Sequence, residues 1–171
     1  MNSTALTSFI QLFTLGDSAA TQRIDERLTL VVTTPEAYGT QFAEELAERG
    51  IVAALPAQEL RDVALIDALL SEELLWEIDW KDPLSEMVLC LNELLTQQGR
   101  PERLAEPARA HRAATGPEAL DIVQDLLEPL GLALVLFTLD SDSYPLSVVA
   151  ETQAEDTRRL AKELGFELAV Y

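Results

Sequence analysis

The segment LALVLFTLDSDSYPLSVVA, residues 132–150, constrains the fold most. Two apolar runs, 132–139 and 145–150, flank a stretch of Asp and Ser. Asp and Ser are turn formers, because their side chains hydrogen-bond to nearby backbone. The segment therefore reads as strand, turn over 140–144, strand, with Pro145 beginning an edge strand. A hairpin makes at least part of the sheet antiparallel.

Helical patterns surround this hairpin. Leu6, Phe9, Ile10 and Phe13 recur at helical spacing, and Gly16-Asp17 ends that helix. Asp17 or Ser18 then caps a second, short helix through Arg27. LTLVVTT at 28–34 is β-branched and apolar, so pattern alone does not separate strand from helix end. Thr34-Pro35-Glu36 opens a helix as N-cap, first turn and acidic first turn, with Tyr38, Phe42, Ala43 and Leu46 inward until Arg49-Gly50. IVAAL at 51–55 is a short extended piece, and Pro56 begins a helix marked by Leu60, Val63, Ala64, Asp67 and Leu70. LLWEIDW at 74–80 alternates, with Trp76, Ile78 and Trp80 on one face and Glu77, Asp79 and Lys81 on the other. Asp82-Pro83 starts a helix carrying Leu84, Met87, Val88, Leu91, Leu94 and Leu95 inward. Residues 100–116 read as a loop, Gly116-Pro117 starts a further helix, and helix 153–164 precedes a last strand, FELAV, at 166–170. The expected fold class is α+β: helices packed against a small, at least partly antiparallel sheet of three to five strands. The chain reads as one domain over 1–171, with the loop 100–116 as the place for any internal boundary.

The net charge is −18. Nucleic acid and anionic membrane both select for Lys and Arg, so the expected partners include neither. Fourteen acids lie between Glu36 and Glu93 against Arg49, Arg61 and Lys81, and nine lie between Ala113 and Thr157 with no Lys or Arg. Arg100, Arg103, Arg109, His111 and Arg112 cluster between these acidic stretches. Such a balance suits a basic protein partner, or solubility alone. No apolar run has the length of a membrane span, and the first residues lack a basic region of the signal-peptide kind. One cysteine, Cys90, gives no internal disulfide and fits a reducing compartment, so the expected location is cytoplasmic.

The Asp140-x-Asp142 pair invites two catalytic or metal readings. An apolar strand ending in D-x-D resembles the opening motif of haloacid-dehalogenase-type phosphatases. That chemistry needs a downstream Lys and more carboxylates for Mg²⁺, and Pro145 opposes the following turn into a helix. An EF-hand loop would place Asp140, Asp142 and Glu151 at ligand positions, but Pro145 occupies the position where glycine is required. The hairpin tip remains. Cys90 reads as a small buried hydrophobe, His111 has no partner set for zinc or for a Ser-His-Asp arrangement, and no glycine-rich phosphate loop exists. No cofactor is expected. Trp76 and Trp80 read as core with an Asp79–Lys81 ion pair, or as a groove with Trp80 at its floor.

WEIDWKDP at 76–83, DSDSYPLSVV at 140–149 and LAERGI at 46–51 resemble segments of an uncharacterised bacterial domain family of unknown function, from about Pro35 to the end. The resemblance implies no activity or cofactor. It implies that Trp76, Asp79, Trp80, Lys81, Asp140, Asp142, Ser143, Tyr144 and Pro145 belong together, and all of these but Pro145 form the candidate binding site, with no catalytic or metal-ligating residue assigned. The expected function is an acidic protein-binding module, concretely an immunity-type protein neutralising a basic toxin or effector domain. The competing expectations are a metal-dependent hydrolase using Asp79, Asp140 and Asp142 with Lys81, and a housekeeping domain.

Overall fold

A computed structural model describes residues 2–171. The chain forms helices α1 (Ser3–Thr14), α2 (Ser18–Thr33), α3 (Pro35–Gln41), α4 (Ala43–Glu48) and α5 (Ala57–Ser71), then strand β1 (Trp76–Asp79). Helices α6 (Leu84–Gln97) and α7 (Gly116–Leu127), strands β2 (Leu132–Phe137) and β3 (Ser143–Ala150), helix α8 (Ala154–Leu164) and strand β4 (Leu168–Val170) follow. The four strands run in the order β1-β3-β2-β4, and every neighbouring pair is antiparallel. The fold is α+β.

Alternation along β2 explains the layering. Ala133, Val135 and Phe137 face one cluster, built from α1, α2, α5 and α8. Leu132 and Leu134 face the other, built from α6 and α7. β3 divides likewise, with Val149 on the first face and Leu146 and Val148 on the second. The sheet is thus covered on both faces, and each fully buried Leu, Val or Phe contributes about 1.5–3 kcal/mol. Phe13 packs edge-on against Phe9 and tilted against Phe137, and Phe9 stacks on Phe166, with 5.3–5.8 Å between ring centroids. Gln98, after α6, ties the layers: its buried Nε2 donates to the Phe13 and Val148 carbonyls.

Leu6, Phe9, Ile10 and Phe13 of α1 are buried, as are Leu84, Met87, Val88, Leu91, Leu94 and Leu95 of α6. Three details differ from the sequence reading. Helix α2 does not stop at Arg27 but absorbs LTLVVTT, because Ile24, Leu28 and Val31 continue one buried face. Asp17 caps it by accepting from the Ala19 and Ala20 N–H groups. The Pro35 helix breaks at Phe42 into α3 and α4, leaving Ala43 exposed instead of inward. Pro145 lies in a central strand. Its missing N–H is tolerated because pairing with β2 stops at Leu146, and on the β1 side Pro145 faces Glu77 between hydrogen-bonded pairs. The loop 100–115 links two helices of one layer, and Asn92 anchors it by bonding both backbone groups of Leu104.

Candidate functional site

The two segments that the sequence singled out meet in space. Trp76, Glu77, Ile78 and Asp79 pair with Leu146, Pro145, Tyr144 and Ser143. The Trp80 N–H extends the ladder by donating to the Asp142 carbonyl at 3.1 Å. The Trp80 carbonyl accepts from Gly116 N–H at 3.0 Å, so one residue joins β1, β3 and the start of α7. Gly116 takes φ +61°, a left-handed conformation that favours glycine, and a Cβ there would approach the Tyr144 hydroxyl at 4.0 Å.

The two aspartates of WEIDWKDP serve the backbone, while Glu77 pairs with Arg49. Asp79 Oδ1 accepts from Lys81 N–H, and Asp82 Oδ2 accepts from Asp79 N–H while Asp82 N–H donates to the Asp79 carbonyl. These bonds cover the outward backbone groups of Asp79 at the end of the β1 edge, which would otherwise be open to another chain. Asp79 and Lys81 therefore form no side-chain ion pair. Lys81 Nζ lies 5.1 Å above the Trp80 ring instead. Trp80 is 42% exposed, and so is neither core nor a groove floor, while Trp76 is half-buried against the α6–α7 cluster. At the tip, Ser141 and Ser143 hydroxyls pair at 2.8 Å. Asp140 and Asp142 are exposed, and among the described residues their carboxylates take no hydrogen bond. β3 begins at Ser143, so Ser143 and Tyr144 are strand and not turn. Among the described residues no group of three or more His, Cys, Asp or Glu is placed to hold a metal ion.

A buried charge network lies behind β1. Arg27, 9% exposed, donates to Glu45 at 2.7 Å, to Ser71 and to the Tyr38 hydroxyl, and its guanidinium lies 4.0 Å from the Phe42 ring centroid. Arg49 Nε donates to Asp67 Oδ1 at 2.6 Å, and its Nη2 lies 2.7 Å from Glu77 Oε1 at an angle poor for a hydrogen bond. Asp67 Oδ2 has only Arg27, at 3.6 Å. Burial pushes the Asp67 pKa up, and the guanidinium of Arg49 pulls against it. Arg49 thus bonds LAERGI to WEIDWKDP through Glu77. Composition hid this network, but an aspartate inside the apolar run Val63–Leu70 demands a buried partner.

Two clefts flank the loop 51–56. The larger, about 600 Å³, is walled by Gly39, Ala43 and Ala47 on one side and by Ile51, Leu55 and Leu60 on the other. The second, about 460 Å³, shares Ile51 and Leu55 and carries Glu59, Asp62, Asp140 and Glu167. The sequence reading missed both clefts. Their signal is a small residue every four positions, Gly39, Ala43 and Ala47, where a helix face facing the core would carry larger ones.

The family described as a domain of unknown function, DUF6630, matches residues 5–171. The chain belongs to that family. Its match includes residues 5–30, which lay outside the resemblance read from the sequence. No curated protein and no solved structure matches the chain. Among the described residues no helix is long and apolar enough to cross a membrane.

Proposed function

We propose that this DUF6630 chain is an acidic protein-binding module of the cytoplasm whose partner is a basic protein. The observation that carries the reading is the Trp80–Asp142 backbone bond. It fixes a half-exposed indole beside a hairpin tip whose two carboxylates have no partner among the described residues. Free carboxylates steer a cationic partner, and an exposed Trp supplies the desolvated anchor that dominates interface energetics. The net charge of −18 acts in the same direction at longer range. The cytoplasmic placement rests on the single cysteine. In its most concrete form the module is an immunity-type protein that covers the site of a basic toxin or effector domain.

Affinity purification tests this reading. Tagged wild type is compared with a Trp80→Ala/Asp140→Asn/Asp142→Asn variant at low and high salt. The expected result is a basic protein retained by wild type at low salt, released by high salt and not retained by the variant. Identical eluates from the two proteins would overturn the reading.

A further inference from the structure

We infer that the paired clefts around loop 51–56 receive a basic, amphipathic segment of the partner protein. This rests on the basic-partner reading above and names where the partner's apolar side chains go. The large cleft is apolar, with Glu36 as its one charged lining residue. Its walls are open because Gly39, Ala43 and Ala47 bring no bulk to the face of α3 and α4 that borders it. Val52, 90% exposed, stands at the cleft as an apolar side chain with no burial in the free protein.

The second cleft supplies the polar half. Every charged residue lining it is a carboxylate: Glu59, Asp62, Asp140 and Glu167. No Lys, Arg or His lines either cleft. Asp62 is held in place, accepting from Gln58 Nε2 at 2.8 Å and Glu167 N–H at 3.2 Å. Arg61 lies beside this wall, donating to Gln58, but the charged groups lining it are carboxylates alone, and an apolar floor continuous with that wall selects a ligand with apolar groups on one side and cations on the other. A helix with apolar residues three and four apart and Lys or Arg between them has that pattern. A fatty acid or other anionic amphiphile does not, because its charged head would meet carboxylates only. Asp140 belongs to both the second cleft and the hairpin tip, so the segment's path is continuous with the surface beside Trp80.

The test uses two peptides of the same Leu and Lys composition. One has Leu at helical spacing, and the other is scrambled to disperse Leu. Binding to the full chain is measured by fluorescence anisotropy at low salt, for wild type, Ala43→Trp and Glu59→Gln/Glu167→Gln. Ala43 is exposed on the cleft wall, so the added indole fills the cleft without entering the core. The expected result is at least about tenfold tighter binding of the amphipathic peptide to wild type. Ala43→Trp should abolish that preference, and the Gln pair should weaken binding of the amphipathic peptide. Equal, salt-sensitive binding of both peptides would overturn the cleft inference and leave the basic-partner reading standing. Binding of neither peptide at low salt would overturn both. Should Ala43→Trp not fold, the Gln pair decides: unchanged affinity for the amphipathic peptide overturns the inference.

Discussion

Arg49→Met isolates the central energetic feature of the fold. The substitution keeps the apolar stem and removes the guanidinium that joins α4 to α5 and β1. Asp67, 7% exposed, would keep only Arg27 at 3.6 Å. Glu77, 24% exposed, can turn toward water. Removing one partner of a buried ion pair costs about 3–5 kcal/mol, and rehydration of Glu77 places this variant near the lower end. For a chain of this size a loss of about 3 kcal/mol lowers Tm by about 6–12 °C. Asp67→Leu should cost a similar amount, because Arg49 and Arg27 keep Glu77 and Glu45 but lose their shared anion. The double variant Arg49→Met/Asp67→Leu should lose well under the sum, with a coupling of about 2–3 kcal/mol, since the second change removes the charge that the first left unpaired. Urea unfolding followed by circular dichroism gives all three values. Additivity within about 0.5 kcal/mol would refute the buried-network reasoning.

Other consequences are equally direct. Asp82→Ala should cost about 1 kcal/mol by opening the β1 edge, while Asp82→Asn keeps the acceptor and should be nearly neutral in urea midpoint. Burial raises the pKa of Asp62 and Asp67 above the ordinary carboxylate range. The folded state therefore holds these protons more tightly than the unfolded chain. The stability they contribute is present below the unfolded pKa and is lost as pH rises through the raised folded values. Asp62→Asn should flatten the slope of urea midpoint against pH across that window, and an unchanged slope would refute the assignment. Burial, then Glu86 and Glu93, push the half-buried Cys90 thiol up, so iodoacetamide should label it near neutral pH more slowly in the native protein than in urea, and equal rates would refute the assignment.

The legible parts of the fold were those with a local cause. Phe9 to Phe13 in α1 and Met87 to Leu95 in α6 repeat on a helical period, so their burial follows from spacing. β2 and β3 were visible because an apolar run on each side of an Asp and Ser stretch leaves few alternatives. The failures had non-local causes. LTLVVTT became helix because Leu28 and Val31 found a face against α1 and α5, and that burial outweighed β-branched preference. Pro145 could sit in a central strand because the ladder to β2 ends one residue away. Arg49 finds Asp67 and Glu77 only after α4, α5 and β1 have assembled. The resemblance grouped WEIDWKDP with DSDSYP but left open whether they meet in space, and it gave no sign of the use of Asp79 and Asp82. Their carboxylates serve turn and edge hydrogen bonds and not a ligand. The exposure of Trp80 reversed the simple expectation that a tryptophan is core.

The most direct test of the binding role uses the two tryptophans, Trp76 and Trp80, which give two indole N–H signals in an ¹H–¹⁵N spectrum. Titration with the basic amphipathic peptide at low salt should shift the exposed Trp80 signal to saturation, move the half-buried Trp76 signal less, and reverse on adding salt. A Trp80 signal that stays fixed while the peptide binds would contradict a partner surface built on Trp80 and the Asp140–Asp142 tip.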